Sequence, residues 1–131
     1  MNQRKDKLYL LLISVHGLIR GHDLELGCDA DTGGQTKYVV ELARALGDLP
    51  DVARVDLITR RIDDAAVSQD YAQEVEPLSH NVNIIRIDCA DQIYLPKEQL
   101  WDHLDNLADN LLDCGVACSI QDYYPIASIR I

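Results

Sequence analysis

The sequence lacks the features that mark several large classes of protein. Its four cysteines, Cys28, Cys89, Cys114 and Cys118, form no CxxC pair. This spacing favours reduced thiols in a cytoplasmic protein over a disulfide framework. Basic residues are scarce, with 12 lysines and arginines against 22 acidic residues and a net charge of −10. That balance argues against nucleic acid or an anionic membrane as the main partner.

Long hydrophobic runs are also missing. The apolar stretch near the start of the chain, Leu8–Ile13, is too short to cross a bilayer. It is also shorter than the hydrophobic core of a secretory signal peptide. We therefore expect no membrane partner and interpret this run as a buried strand. The chain shows no internal repeat, and its 47% hydrophobic content suffices for the core of one domain.

The order of apolar patterns predicts an α/β fold, in which a Rossmann-like, doubly wound parallel sheet forms part of a larger domain. Continuous apolar runs predict strands that are covered on both faces, whereas residues 63–79 look irregular, with at most a short helical turn. A further strand fits residues 126–131. The main predicted elements are strands at 8–13, 54–59 and 82–87 and helices at 33–46 and 100–112.

The first predicted helix carries the strongest local signals. Asp31 or Thr32 can cap its free amide groups, and Gly47 stands where a left-handed helix stop is expected. Lys37, Glu41 and Arg44 fall on a polar face. The apolar face is predicted to comprise Tyr38, Val39, Leu42, Ala43 and Leu46.

A binding site is predicted where this helix begins. Gly33 and Gly34 leave its amino end bare of side chains, so that the amides and the positive end of the helix dipole can meet a phosphate or a sugar. The long connection before it lies at the carboxyl edge of the sheet, where such folds bind ligands. Arg60 and Arg61 reach the same edge, as does Lys97, which begins the second helix.

Other chemistries find weaker support. The glycine pair does not form the GxGxxG fingerprint of dinucleotide binding. Asp29 and Asp31 have the DxD spacing of some metal-using transferases, but capping and solvation of a loop are the favoured explanation. His16, His22 and Cys28 could be drawn as zinc ligands, although nothing in the sequence fixes their geometry. We expect neither a metal nor another cofactor.

Four segments in the same order resemble the start of sucrose-phosphate synthase. They are His16 to Gly21, Asp31 to Leu46, Arg54 to Arg60 and Tyr94 to Trp101, and the resemblance covers roughly residues 8–113. It implies a retaining glycosyltransferase of the GT-B type. Such an enzyme transfers glucose from UDP-glucose to fructose 6-phosphate and needs no metal for its chemistry.

The same resemblance implies roles for individual residues. Gly33 and Gln35 would contact the fructose moiety, and Gly34 would keep the loop open beside the donor phosphates. Lys97 would bind the acceptor. No residue of this chain is assigned as catalytic, since the resemblance places the chain in the acceptor-binding half of the cleft.

The sequence departs from the family pattern after Leu112. Cys118 to Tyr124 replaces a histidine-rich segment of the family, so we expect residues 1–113 to be the first part of the acceptor-binding domain and 114–131 an atypical tail, truncated or out of frame. By this interpretation the chain alone is inactive. The alternatives are a stand-alone sugar-phosphate binding or regulatory module, and a related transferase such as sucrose synthase, which shares the Thr32 to Gln35 element.

Overall fold

The computed structural model describes residues 7–15, 17–22, 34–88, 97–113 and 126–130. The strands are β1 (Leu8–Ile13), β2 (Val52–Arg60), β3 (Val75–Ser79), β4 (Val82–Ile87) and β5 (Ile126–Arg130). The α-helices are α1 (Gly34–Gly47), α2 (Lys97–Leu100) and α3 (Leu104–Asp113), with 3-10 turns at Gln69–Ala72 and Trp101–His103.

The five strands form one sheet in the order β3-β4-β2-β1-β5. All pairs are parallel except β3 with β4. Numbered along the chain, the parallel strands are therefore arranged 3-2-1-4, which matches the first four strands of the doubly wound order 3-2-1-4-5-6. The predicted fold class is confirmed, and the point where the strand order reverses lies between β1 and β5.

Both faces of the sheet are covered, which explains why β1 is apolar throughout. Leu10 and Leu12 point to one face, where they belong to the same core cluster as Val39, Val40 and Ala43 of α1. The alternate residues of β1 point to the opposite face, where Tyr9 and Leu11 form a second cluster with Leu107 of α3 and with Ile58, Ile85 and Ile87. One helix on each face is the doubly wound arrangement that the sequence predicts.

The buried face of α1 differs from the predicted one. Val39, Val40 and Ala43 are at most 1% exposed, whereas Tyr38 is 58% exposed. Leu42 and Leu46 are only partly buried. Successive helical residues are about 100° apart, so a buried stripe centred on Val39, Val40 and Ala43 turns Tyr38 away from the sheet. The polar assignment of Lys37, Glu41 and Arg44 is confirmed, since all three are exposed.

Gly47 is required for a reason other than the predicted one. It is the last residue of α1 and does not adopt a left-handed conformation; among the described glycines only Gly17 has a positive φ, of 86°. A Cβ at Gly47 would instead overlap Cγ2 of Val82 and lie 2.9 Å from Oδ1 of Asn81. The glycine therefore permits close packing of the helix end against the start of β4.

Two further elements depart from the prediction. Residues 63–79, expected to be irregular with at most a short helical turn, contain such a turn at Gln69–Ala72 but also the edge strand β3, which the sequence does not predict. Pro77 lies within β3, where an antiparallel edge strand tolerates a missing N–H. The second helix is divided into α2, a 3-10 turn and α3, although Leu100 and Leu107 are buried as its spacing predicts. The predicted strand after residue 125 is present as β5.

Candidate functional site

The carboxyl ends of the parallel strands define one edge of the sheet. β1 continues there into Ser14, β2 ends at Arg60 and β4 continues into Asp88. β5 ends at Arg130, which is in register with Ile13 of β1. The amino end of α1 follows β1 and α2 follows β4, so the helix starts are at this edge as well. The predicted site therefore lies where a doubly wound sheet binds its ligands.

The amino end of α1 is open. Gly34 is exposed, and a Cβ added to it would meet no atom within 4 Å among the described residues beyond its chain neighbours and the backbone of α1. The first turn contains no acidic residue, although the chain as a whole has 22 of them. Lys37 lies in this turn, with Nζ 3.9 Å from Oε1 of Glu41. The amino end of a helix carries the positive end of the helix dipole, and here no carboxylate lies in the first turn to oppose it. These features favour the binding of an anion.

The other predicted site residues are described to different extents. Gln35 is half-buried in the first turn of α1. Lys97 is the first residue of α2, which places it on the carboxyl side of β4, but its side chain lies outside what the structure describes. Gly33 is outside the described residues, as are the predicted caps Asp31 and Thr32. The topology thus brings Gly34, Gln35 and Lys97 to one edge of the sheet.

Ser14 is a polar residue that the sequence did not indicate. It follows β1 directly, and its backbone N–H donates to the carbonyl oxygen of Ile58 at 2.9 Å. The residue is 1% exposed, and its hydroxyl has no hydrogen-bond partner within the described structure. A buried hydroxyl without a partner is costly, so its retention calls for a reason, such as a functional role or an ordered water. No sequence pattern distinguishes this serine from a residue that simply ends a strand.

Arg61, predicted to be at this edge, is engaged in structural contacts. Its Nε donates to the carbonyl oxygen of Ala72 at 2.7 Å, and its terminal nitrogens lie 3.4 Å from Asp88 and 3.9 Å from Asp63. The neighbouring Arg60 is buried, with 3% exposure, and also has an interaction partner. Both arginines are at the predicted edge, and the contacts of Arg61 stabilise the segment that follows β2.

Residues 17–22, here called the loop arm, are attached to the β3 side of the sheet. Arg20 lies 3.3 Å from Asp70 and its guanidinium is 5.2 Å from the centre of the Tyr71 ring. The Gly21 N–H donates to Oε2 of Glu76 at 2.6 Å. Sequence reasoning did not find these contacts, because the partners are 50 or more positions apart.

Metal ligation finds no support in the described residues, where no group of three or more His, Cys, Asp or Glu side chains could hold an ion. Of the histidines and cysteine considered from the sequence, only His22 is described, with Nε2 3.7 Å from Asp70. His16, Cys28, Asp29 and Asp31 are outside the described residues. No helix in the described portion is long and apolar enough to cross a membrane.

The chain is similar to several known proteins, although no protein-family model matches it. It is 48% identical over 125 residues to a probable sucrose-phosphate synthase of Solanum tuberosum and 49% identical over 127 residues to probable sucrose-phosphate synthase 4 of Oryza sativa subsp. japonica. Each match covers 85% of this chain and 12% of the relative. The chain therefore spans about an eighth of the length of the curated relatives it matches.

A solved structure is similar as well. The fold superimposes on a sucrose-phosphate synthase from Thermosynechococcus elongatus with a TM-score of 0.64 and 25% sequence identity. That match covers 93% of this chain and 27% of the other. Sequence and fold thus agree on the same group of proteins.

Proposed function

Because most of its residues are homologous to sucrose-phosphate synthases, this chain belongs to the sucrose-phosphate synthase family, and we propose that it forms acceptor-binding structure of such an enzyme. The reaction proposed is glucose transfer from UDP-glucose to fructose 6-phosphate, which gives sucrose 6-phosphate and UDP. The whole enzyme would have the GT-B architecture and act in the cytoplasm. The four cysteines form no CxxC pair, a pattern that favours reduced thiols and so supports that compartment.

The observation that carries this proposal is the open amino end of α1. Gly34 leaves space for a ligand, and the first turn has no carboxylate to repel a phosphate. Backbone N–H groups at a helix start are unsatisfied within the helix, so they can donate to phosphate or sugar oxygens. A sugar phosphate presents both kinds of acceptor. This fit is why we place fructose 6-phosphate at this edge.

Separate groups are proposed to hold the acceptor. Gly33 and Gln35 contact the fructose moiety, and Gly34 keeps the loop clear beside the donor phosphates. Lys97 approaches from the start of α2 as a point charge, which suits a phosphate. The buried Ser14 hydroxyl, unsatisfied within the described residues, is available as one more donor or acceptor at the same edge.

The role of the residues in the reaction is binding and orientation. Transfer needs the acceptor hydroxyl to be held against the donor's anomeric carbon in a cleft from which water is excluded. The described residues present no acid–base pair at the edge that would assign a catalytic group here. We propose that residues 1–113 are the first part of the acceptor domain, to which β5 adds a strand beside β1.

Titration of the 131-residue chain with fructose 6-phosphate, followed by isothermal calorimetry or amide NMR shifts, tests the proposal. We expect saturable binding with shifts concentrated at Gly34 and Gln35. Fructose and inorganic phosphate should each bind more weakly, because each lacks half of the contacts. Equal affinity for inorganic phosphate would reduce the site to a general anion site, and no shift at α1 would contradict the proposal.

A further inference from the structure

Tyr38 is an exposed aromatic residue on the helix whose start is the proposed site. It is 58% exposed, although the apolar spacing of α1 predicts that it faces the sheet. Leu49 and Val75, the other large hydrophobic side chains exposed in the described part of the chain, lie beyond the end of α1 and at the start of β3. A single exposed ring is not unusual, so its place on the helix decides what it can do.

Helix geometry places Tyr38 next to both described residues at the start of α1. Residues three and four apart are neighbours on a helix surface, so Tyr38 adjoins Gln35 and Gly34. Gly34 precedes Tyr38 by only about 6 Å along the helix axis. Helical side chains lean toward the amino end of their helix, so the ring extends over the first turn. This placement depends on α1 alone.

The space between the ring and the helix start is open. A Cβ at Gly34 would have no side-chain atom within 4 Å among the described residues beyond its chain neighbours, and this includes the atoms of Tyr38. The ring therefore does not close over the glycine. One side of the space is formed by the ring, and another by the backbone amides that a helix start leaves without partners.

The charged neighbours of Tyr38 lie on a different flank of the helix. Lys37 is directed about 100° away from Tyr38, and its Nζ is 3.9 Å from Oε1 of Glu41. The half-buried Leu42 follows Tyr38 one turn later on the same flank. An uncharged aromatic side chain beside free amides suits a ligand that has both apolar C–H groups and polar oxygens.

Ser14 independently favours a polar partner at this edge of the sheet. Its N–H bond to Ile58 continues the ladder of β1, so the alternation of side chains places Ser14 on the face of Leu10 and Leu12, which α1 covers. The Ser14 hydroxyl is buried and has no partner among the described residues. A polar group is therefore needed by the sheet as well as by the helix start.

We propose that Tyr38 is a specificity-determining residue of the sugar-phosphate site, and that its ring packs against the C–H groups of the fructose moiety. The inference rests on the function proposed above. The face of an aromatic ring is electronegative and attracts C–H groups that neighbouring oxygens polarise. Gln35, the neighbour of Tyr38, is proposed to contact the same moiety. Inorganic phosphate has no C–H group and cannot use this contact.

The principal variant is Tyr38→Ala, which should leave the fold intact because the side chain is mostly exposed. We expect roughly three- to tenfold weaker binding of fructose 6-phosphate, as for the loss of an aromatic contact, and unchanged affinity for inorganic phosphate. Tyr38→Phe keeps the ring and should bind nearly normally. Tyr38→Leu keeps apolar bulk without a ring and should resemble Tyr38→Ala.

Lys37→Ala is the matched control, because the Lys37 side chain is 56% exposed at the adjacent position. It should leave the affinity for fructose 6-phosphate near normal. Calorimetry gives the dissociation constants for fructose 6-phosphate, inorganic phosphate and UDP, and thermal unfolding verifies the fold of each variant. Proton NMR adds a direct signature: the ring current should shift the sugar protons upfield in the unsubstituted chain and in Tyr38→Phe, but not in Tyr38→Leu.

The outcomes are distinct. Weaker binding of fructose 6-phosphate alone in folded Tyr38→Ala and Tyr38→Leu chains, with the upfield shift retained in Tyr38→Phe, supports the proposal. Unaltered affinity in Tyr38→Ala overturns it, as does a loss of affinity for UDP alone, which would assign the ring to the nucleotide. If the unsubstituted chain does not bind fructose 6-phosphate, the proposed function is contradicted and this inference fails with it.

Discussion

The phenolic hydroxyl of Tyr9 donates a hydrogen bond to Oδ2 of Asp56, and both side chains are completely buried. Arg54 completes the group, with Nε 3.0 Å from Oδ1 of Asp56 and its guanidinium 5.8 Å from the centre of the Tyr9 ring. The three residues join β1 to β2 on the face that α3 covers. A buried carboxylate is thus supported by a hydroxyl and a cation, as burial of such a group requires.

Removing the Tyr9 hydroxyl should weaken the fold. Tyr9→Phe leaves the buried Asp56 carboxylate with one partner fewer, so we expect the free energy of unfolding to fall by about 1–3 kcal/mol. Urea denaturation measures this loss. Tyr38→Phe is the matched control, because Tyr38 is 58% exposed and should change stability little. Equal stability of the two variants would show that the Tyr9–Asp56 bond contributes nothing.

Substitution at Gly47 should also destabilise the protein, through packing rather than backbone strain. Gly47→Ala forces a methyl group against Val82 and Asn81, and overpacking of this kind costs about 1–3 kcal/mol. Gly34→Ala is the comparison, since its Cβ would meet nothing within 4 Å in the portion that the structure describes, apart from its own helix and chain neighbours. A Gly47→Ala protein with unchanged urea midpoint would mean that the end of α1 can move away from β4.

Ser14→Ala is expected to separate stability from binding. The hydroxyl is buried and has no partner among the described residues, so its removal should relieve a desolvation penalty and raise the unfolding free energy by up to about 1 kcal/mol. Affinity for fructose 6-phosphate should fall in the same variant. Ser68→Ala is the contrasting change, because the Ser68 hydroxyl accepts the Asp70 N–H at 3.2 Å and its loss should destabilise. A destabilised Ser14→Ala chain with normal affinity would remove Ser14 from the site.

The purified 131-residue chain should not transfer glucose from UDP-glucose to fructose 6-phosphate. It corresponds to 27% of the Thermosynechococcus elongatus structure it resembles, and transfer requires donor and acceptor to be held together in one cleft. Sucrose 6-phosphate can be assayed after long incubation with both substrates. Product above that of a mock purification would contradict this expectation.

Local sequence patterns were sufficient to predict the fold class and most of the helices and strands. The apolar run of β1, the helical spacing of Leu100, Leu104, Leu107 and Leu111, and the glycine pair where α1 begins are each local signals. They predict a candidate site at the carboxyl edge of the sheet. β3 escaped prediction because it is an exposed edge strand that contains Pro77, and such a strand has little apolar alternation.

The polar networks could not be predicted because they are set by pairing across the sheet. Tyr9 and Asp56 are 47 positions apart, and Arg86, whose Nη2 donates to the carbonyl oxygen of Ile19, is 67 positions from that residue. The periodicity of apolar residues along the sequence carries no information about such distant partners. The same reasoning applies to Gly47. A Cβ there would clash with side chains of the turn before β4 and of β4 itself, which are distant in the sequence. In each case the sequence gives the residue type and the tertiary structure gives the reason for it.

The central claim is that the amino end of α1 binds the sugar phosphate, and Gly34→Val tests it most directly. Because a Cβ at Gly34 meets no side chain or more distant residue within 4 Å in the described part of the chain, the substitution should leave folding largely intact while filling the space where the ligand would lie. Losing a hydrogen bond to a charged phosphate is worth roughly 1.5–3 kcal/mol, which is a loss in affinity of about ten- to a hundredfold.

The measurement is the dissociation constant for fructose 6-phosphate in the unsubstituted chain and in Gly34→Ala, Gly34→Val and Lys37→Ala, with circular dichroism to verify the fold. The account predicts a graded loss, greater for valine than for alanine, and near-normal binding for Lys37→Ala. A folded Gly34→Val chain that binds fructose 6-phosphate as tightly as the unsubstituted chain would contradict it.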